Sequence, residues 1–319
     1  MNAAVLHKLG LPPQCERFPE PAAGDNEVVV HVCAASLKPV DKQIAAGTHY
    51  ATPRQLPFIC GTDGVGRLED GRRVFFGGCR PPYGAMAQRT VVPRAFTFPV
   101  PDGIGDELAA AVVNPGVSAL LALTHRAKLA SGEHVLVLGA TGVAGRLAVR
   151  IAKLLGAGRV TAAGRNKNAL QELRQFGADS TISLDLPPQD LYQSFVQSAG
   201  TSGFQVVIDY LWGQPTEAFL SAITNKSFAA FGTEIRLVQI GETAGPAISL
   251  PAAVLRSTAL TILGTAGIPP REVLTGALER VLSYAASGDL QVETIPFPLA
   301  GIENAWSQTQ PGRRTVIIS

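Results

Sequence analysis

The sequence predicts an α/β protein in which a doubly wound parallel sheet is inserted into a β-rich domain. Three observations carry this. The first 100 residues read as strands and turns. From about 116 onward, apolar strand-like runs alternate with helical patterns. The chain then ends on an extended segment, RTVIIS. Alternation of strands with helices builds right-handed βαβ units and hence a parallel sheet. The expected boundaries are 1–115 and 267–319 for the two parts of the β-rich domain and 116–266 for the insert.

The β-rich part contains EVVVHVCAASL (27–37), dense in β-branched residues, with GRRVFFGG (71–78) and AMAQRTVVP (85–93) as short extended runs bounded by glycine and proline. In the insert, HVLVLGA (134–140) is a continuous apolar run, the pattern of a strand buried on both faces. The helical VAGRLAVRIAKLLGA follows, then RVTAAG, the helix NKNALQELRQFGA, the strand STISL, a polar helix, FQVVIDYL, a further helix, IRLVQIG and LTILGTA. After 267 come one amphipathic helix, REVLTGALERVLSYAASG, and proline-rich extended segments. No repeat period is present.

Composition narrows the classes of function. The chain has 319 residues, 46% hydrophobic and 16% charged, enough to build sizeable cores. Its net charge of +2, without like-charge runs, offers no electrostatic footprint for nucleic acid or an anionic membrane. MNAAVLHKLG lacks a basic segment leading into a long apolar stretch, so no secretory signal is expected. No uninterrupted apolar window of about 18 residues occurs, and the most apolar helical candidate, 143–155, carries Arg146, Arg150 and Lys153. The expectation is a cytoplasmic protein with no membrane partner. The four cysteines, at 15, 33, 60 and 79, lack zinc-finger spacing and are expected to be free thiols.

GATGVAG (139–145) follows a strand and opens a helix. In that context Gly139 turns the chain, Gly142 lets backbone approach a pyrophosphate and Gly145 packs helix on strand. The backbone of Thr141, Val143 and Ala144 completes a helix N-terminus that offers N–H groups to phosphate. A dinucleotide is the expected ligand. About 20 residues on, where NAD readers carry an acid for the ribose hydroxyls, the chain reads TAAGRNKNAL (161–170) with no acid. Arg165, with Asn166 and Lys167 beside it, can hold a 2′-phosphate instead, which selects NADPH. The alternative for these three residues is a solvated helix start. Short-chain dehydrogenases share the glycine spelling but need a YxxxK pair, and no tyrosine in this chain has lysine four residues later.

VLVLGATGVAGRLAVRIAKLLGA followed by FGAD resembles the zinc-independent quinone oxidoreductase (zeta-crystallin-like) branch of the medium-chain dehydrogenase/reductase superfamily. The resemblance covers nearly the whole chain. LKPVDKQIAAG is similar to the branch's Asn-Pro-x-Asp segment, LPFICGTDGVG to its glycine–acid turn, and VVIDYL, LVQIG and LTILGTA to its later strands. It implies a GroES-like β-rich catalytic domain with an inserted Rossmann domain, NADPH-dependent hydride transfer to a quinone or an α,β-unsaturated carbonyl (enone), and a homodimer. Zinc-dependent relatives place Cys, His and Cys ligands where this chain has Lys38, Thr62 and Pro115, so no metal is expected: an ammonium only donates and proline has no donor atom.

The resemblance also implies site residues. Ser118 matches a cofactor-contacting hydroxyl, with a backbone-satisfying helix hydroxyl as the alternative. Gly241 and Thr265 end the last two parallel strands, where loops approach the nicotinamide. Arg314 resembles an arginine that reaches the pyrophosphate, with a surface ion pair as the alternative. Tyr50 and Lys38 are the candidate catalytic residues. Tyr50 could donate to the substrate oxygen or line the cleft rim. Lys38 could polarise the substrate carbonyl, hold the nicotinamide ribose or pair with Asp41. The branch usually has asparagine at Lys38, and the loop between Gly66 and Val74 is short. Other readings left open are an enoyl-thioester reductase and an NADPH-binding sensor with weak turnover.

Overall fold

The computed structural model describes residues 1–224, 234–265, 269–308 and 311–319. The chain divides into two compact units, Met1–Asn114 with Leu278–Ser319, and Pro115–Ala277. The boundary expected between 266 and 267 lies outside the described residues.

The discontinuous unit is built on two largely antiparallel sheets, with one parallel pair, Thr294–Pro298 beside Arg314–Ile318. A three-stranded sheet has the order Gln14–Arg17, Asn2–Leu6, Phe58–Ile59. A larger sheet runs Thr294–Pro298, Arg314–Ile318, Glu27–Ser36, Asp63–Arg67, Arg73–Gly77, Thr97–Pro99, and Arg89–Pro93 also pairs with Glu27–Ser36. The β-branched run read at 27–37 is thus the long strand on which the unit is assembled. Its pairing with Asp63–Arg67 shifts register between Val32 and Ala34, so Cys33 sits in an irregularity. Gly66 is required in the facing strand: a Cβ there would lie 2.3 Å from the His31 carbonyl oxygen. The sequence expectation of strands and turns alone omits a helix, Pro39–Ala46, which Lys38 precedes. Its proline stands in the first turn, where a missing N–H costs nothing, and Asp41 accepts from the Lys38 backbone N–H at 2.8 Å. All four cysteines are free.

The second unit is the parallel sheet read from the strand–helix alternation. Its order is Ser180–Ser183, Arg159–Gly164, His134–Leu138, Val206–Asp209, Glu234–Gln239, Ala259–Leu263, with every pair parallel. All five residues of His134–Leu138 are buried, which accounts for its unbroken apolar run. The chain first winds outward to one side of this strand and then to the other. The carboxyl ends of His134–Leu138 and Val206–Asp209 therefore flank the crevice where doubly wound sheets bind ligands. Val143–Leu154 covers the sheet through Val143, Leu147 and Ile151, spaced four residues apart on one face.

One helix departs from the sequence expectation. Asp106–Leu121 begins ten residues ahead of the expected domain start and carries Pro115 within it. Continued to Arg126, it is, among the described residues, the one helix long and apolar enough to meet the length and composition of a membrane span, and 67% of that window is buried. Sequence pattern places the most apolar helix at 143–155 instead. Periodic charges make that segment readable as a helix, whereas the alanine- and valine-rich AAAVV of 109–113 shows no amphipathic pattern because it is buried all round.

Candidate active site

Each unit holds one group of the candidate residues. In the parallel-sheet unit the group is built largely from backbone. Gly139 adopts φ +85°, a conformation that favours glycine. A Cβ on Gly145 would lie 2.3 Å from the Gly139 carbonyl oxygen and 2.6 Å from the Ala140 Cα, so helix and turn touch through main chain. Gly142 is the N-cap of Val143–Leu154, and no side chain caps that helix. Its first N–H groups have no carbonyl within the helix to receive them. A Cβ on Gly142 would meet only the Gly139 oxygen, at 3.6 Å, so the approach is open. An uncapped helix start reached past an open glycine fits the pyrophosphate of a dinucleotide.

The turn is fixed from two sides. Gly139 and Ala140 both donate to the Ala163 carbonyl, and a Cβ on Gly164 would lie 2.5 Å from the Thr141 methyl. Arg165 and Lys167 are exposed immediately beyond Gly164. The Asn166 side-chain oxygen accepts from the Ala169 N–H at 3.1 Å and caps Lys167–Gln175, a bond that uses its acceptor and not its amide donors. Across the crevice, a Cβ on Gly241 would lie 2.7 Å from the Tyr210 carbonyl oxygen. Thr265 is exposed, its hydroxyl donating to the Gln239 carbonyl at 3.3 Å. Ser118 is half-buried in Asp106–Leu121.

Two residues at this strand end were missed from sequence. Asp209 is fully buried and its carboxylate accepts from the Leu211 and Trp212 N–H groups and from the Thr216 hydroxyl. It holds Trp212 at φ +56°, an unusual conformation for a bulky residue. Burial raises its carboxyl against these donors. Tyr210 has a buried hydroxyl without a hydrogen-bond partner. The acid at a strand end was the available signal.

In the discontinuous unit the group is built from charge. Lys38, Asp41, Asp63 and Arg314 are all buried. Lys38 Nζ donates to the Ser36 carbonyl and Asp63 Oδ1, each at 3.0 Å, reaches Ser36 Oγ at 3.4 Å and pairs with Asp41 Oδ2 at 3.3 Å. Burial opposes its charge, but Asp41 and Asp63 outweigh that and hold the ammonium above the ordinary lysine range. Asp41 Oδ1 accepts the Thr62 N–H at 3.1 Å, and the Thr62 hydroxyl lies 3.1 Å from that oxygen and 3.2 Å from Asp63 Oδ2. Asn114 Nδ2 donates to Asp63 Oδ2 at 2.9 Å. Arg314 is 8% exposed, donates to the Leu37 carbonyl at 3.0 Å and leaves Nε unpartnered. It is therefore part of this interior cluster, not a surface ion pair. Tyr50, by contrast, is 97% exposed and stacks on His49 with ring centroids 4.1 Å apart.

The comparisons bear on both groups. Residues 144–283 match the family described as zinc-binding dehydrogenase. The quinone oxidoreductase of Thermus thermophilus, solved also in complex with NADPH, is 30% identical, covers 100% of this chain and 100% of its own, and superposes with a TM-score of 0.79. The chain belongs to the quinone oxidoreductase branch of the medium-chain dehydrogenase/reductase superfamily. The Sus scrofa quinone oxidoreductase is 31% identical over 205 residues, 60% of this chain and 59% of its own. The Escherichia coli quinone oxidoreductase, solved with NADPH, shares the fold at a TM-score of 0.86 and 22% identity over 100% of both chains.

The zinc in the family's description does not fit the residues present. The positions that the resemblance matches to zinc ligands hold Lys38, Thr62 and Pro115, an ammonium, a hydroxyl already shared between two carboxylates, and a residue without a donor atom. Among the described residues no group of three His, Cys, Asp or Glu is placed to hold a metal.

Proposed function

We propose that the protein is an NADPH-dependent reductase that transfers hydride to a quinone or an α,β-unsaturated carbonyl without zinc. The observation that carries the reading is the pairing of an uncapped helix start behind Gly142 with exposed Arg165 at the end of a strand that lacks an acid. The 30% identity to a quinone oxidoreductase solved with NADPH supports it. Gly139, Thr141, Gly142, Val143, Ala144 and Gly145 would hold the pyrophosphate by backbone, and Arg165 with Lys167 the 2′-phosphate. Ser118, Gly241 and Thr265 would contact the cofactor nearer its nicotinamide. The bound nicotinamide supplies hydride.

Tyr50 is the remaining candidate donor to the substrate oxygen, since its side chain is free to meet a ligand. Lys38 and Arg314 act by holding, not by contact, because their charged groups are enclosed and already bonded. The test is cofactor preference. Arg165→Ala should weaken NADPH about tenfold or more and leave NADH nearly unchanged, as removing a charge-assisted fork predicts. Equal weakening of both in a fluorescence titration would refute the 2′-phosphate assignment.

A homodimer formed along the sheet edge Ala259–Leu263 is the assembly we infer. That strand ends the sheet order and presents half-buried Leu260, Ile262 and Leu263. A monomer in light scattering would refute it.

A further inference from the structure

We propose that the Lys38 ammonium is a tethered cation filling an oxygen-lined cation site, at a position that the resemblance matches to a ligand of zinc-dependent relatives. Nζ has four oxygen neighbours between 3.0 and 3.4 Å: the Ser36 carbonyl, Ser36 Oγ, Asp63 Oδ1 and Asp41 Oδ2. Lys38 is 3% exposed. The carboxylates are held from outside by other donors. Asp41 takes the backbone N–H groups of Lys38 and Thr62, and Asp63 takes the Asn114 amide. The cage is therefore shaped independently of the ammonium it encloses.

Its charge requires a cation. Two carboxylates face Lys38 and Arg314, so removing Lys38 alone leaves one negative charge buried and uncompensated, a costly state. An ordinary buried ion pair would lose stability in the same way. A cation site differs in one respect: an untethered cation of the right size restores what the tether supplied. The cage oxygens are carbonyl, hydroxyl and carboxylate, which suit a primary ammonium with its three donors. They do not supply the sulfur and imidazole set that zinc favours. The tethered ammonium is a cation the chain cannot lose, and the same carboxylates keep the turn between Gly61 and Asp63 tied to the helix start at Lys38.

The experiment reads thermal unfolding of the full chain, so its outcome is separate from whether the protein reduces quinones. Lys38→Ala should lower the melting temperature by on the order of 10 °C. Propylammonium should restore at least half of that in a saturable manner, as linkage requires for a ligand that binds only the folded state. n-Propanol and tetramethylammonium at the same concentration and ionic strength should not. Equal rescue by n-propanol would reduce the effect to cavity filling, and no rescue by propylammonium would mean no cation site; either result overturns the proposal. A second pair of variants covers poor folding. Lys38→Met/Asp63→Asn removes one charge of each sign and should exceed Lys38→Met alone in melting temperature or soluble yield. A double variant no better than the single one overturns the proposal as well.

Discussion

The glycine turn at Gly139–Gly145 and the charge cluster around Lys38 are both candidate functional regions, yet they are held by opposite means. The turn excludes side chains. Main chain approaches main chain so closely that a Cβ on Gly145 would overlap the Gly139 carbonyl. The Gly139, Ala140 and Gly142 N–H groups are spent on main-chain carbonyls, while the start of the helix behind Gly142 has no side-chain cap. The cluster encloses side chains. Four buried ionic groups and their donors come from Ser36–Asp41, Thr62–Asp63, Asn114 and Arg314. The region proposed to receive a large anion leaves its helix start uncapped. A region that must hold its own shape spends all but a few of its donors internally, the Arg314 Nε being an exception.

The largest effect that could break this contrast comes from the turn. Gly145→Val places a branched side chain against the Gly139 and Ala140 backbone, which cannot yield as a flexible side chain would. The expected cost is about 4 kcal/mol or more, read as loss of cooperative unfolding of the parallel-sheet unit together with loss of NADPH binding. A stable variant that still binds NADPH would show that close backbone packing is not what shapes the turn.

Next comes a buried base whose bonded partners are a carbonyl and a hydroxyl and no carboxylate. His134 is 2% exposed, with Nδ1 placed to donate to the Gly203 carbonyl at 3.0 Å and Nε2 2.8 Å from the Thr161 hydroxyl. Burial, aided by the positive charge of Arg159, lowers its pKa to about 4. Lys38, equally buried, keeps its charge because Asp41 and Asp63 face it. The sign follows from linkage. Unfolded His134 takes up a proton near pH 6.5, whereas the folded form waits until about pH 4. Stability should therefore fall as pH drops from 6.5 to 4, by up to about 3 kcal/mol. Urea melts at about pH 7.5 and about pH 4.5, on either side of most of that window, should show this loss in the native chain and a smaller one in His134→Gln. An equal loss in both would move the acid sensitivity elsewhere.

The smallest effect separates two neighbours in the cofactor region. Asn166→Ala removes a helix cap and should cost about 1 kcal/mol of stability without changing NADPH affinity. A drop in affinity comparable to that from Arg165→Ala would place Asn166 on the cofactor after all.

Much of the parallel-sheet unit was legible in the sequence because its signals are local. A five-residue apolar strand, a glycine turn and an amphipathic helix follow one another within 134–154, and the next strand ends on Arg165 where an acid would otherwise stand. Each is set by backbone geometry over a few residues, so spelling and spacing report it. Asp106–Leu121 escaped because its run at 109–113, buried all round, carries no amphipathic period.

The cluster lies at the other extreme. Asp41 and Lys38 are three residues apart and suggest a pair, but Asp63, Asn114 and Arg314 are brought to them by strand pairing and by the return of the chain terminus across the sheet. Arg314 reads as a candidate ligand for a cofactor because an arginine at the head of RTVIIS has no visible partner in sequence. Its partner is the Leu37 carbonyl, 277 positions away. The amino-acid sequence by itself determined the doubly wound insert, the phosphate turn and the absence of zinc-ligand chemistry at residues 38, 62 and 115. Only the tertiary structure decided that Lys38 is an enclosed cation and not an exposed one, because burial and opposite charge come from residues that meet through folding and not through proximity along the chain.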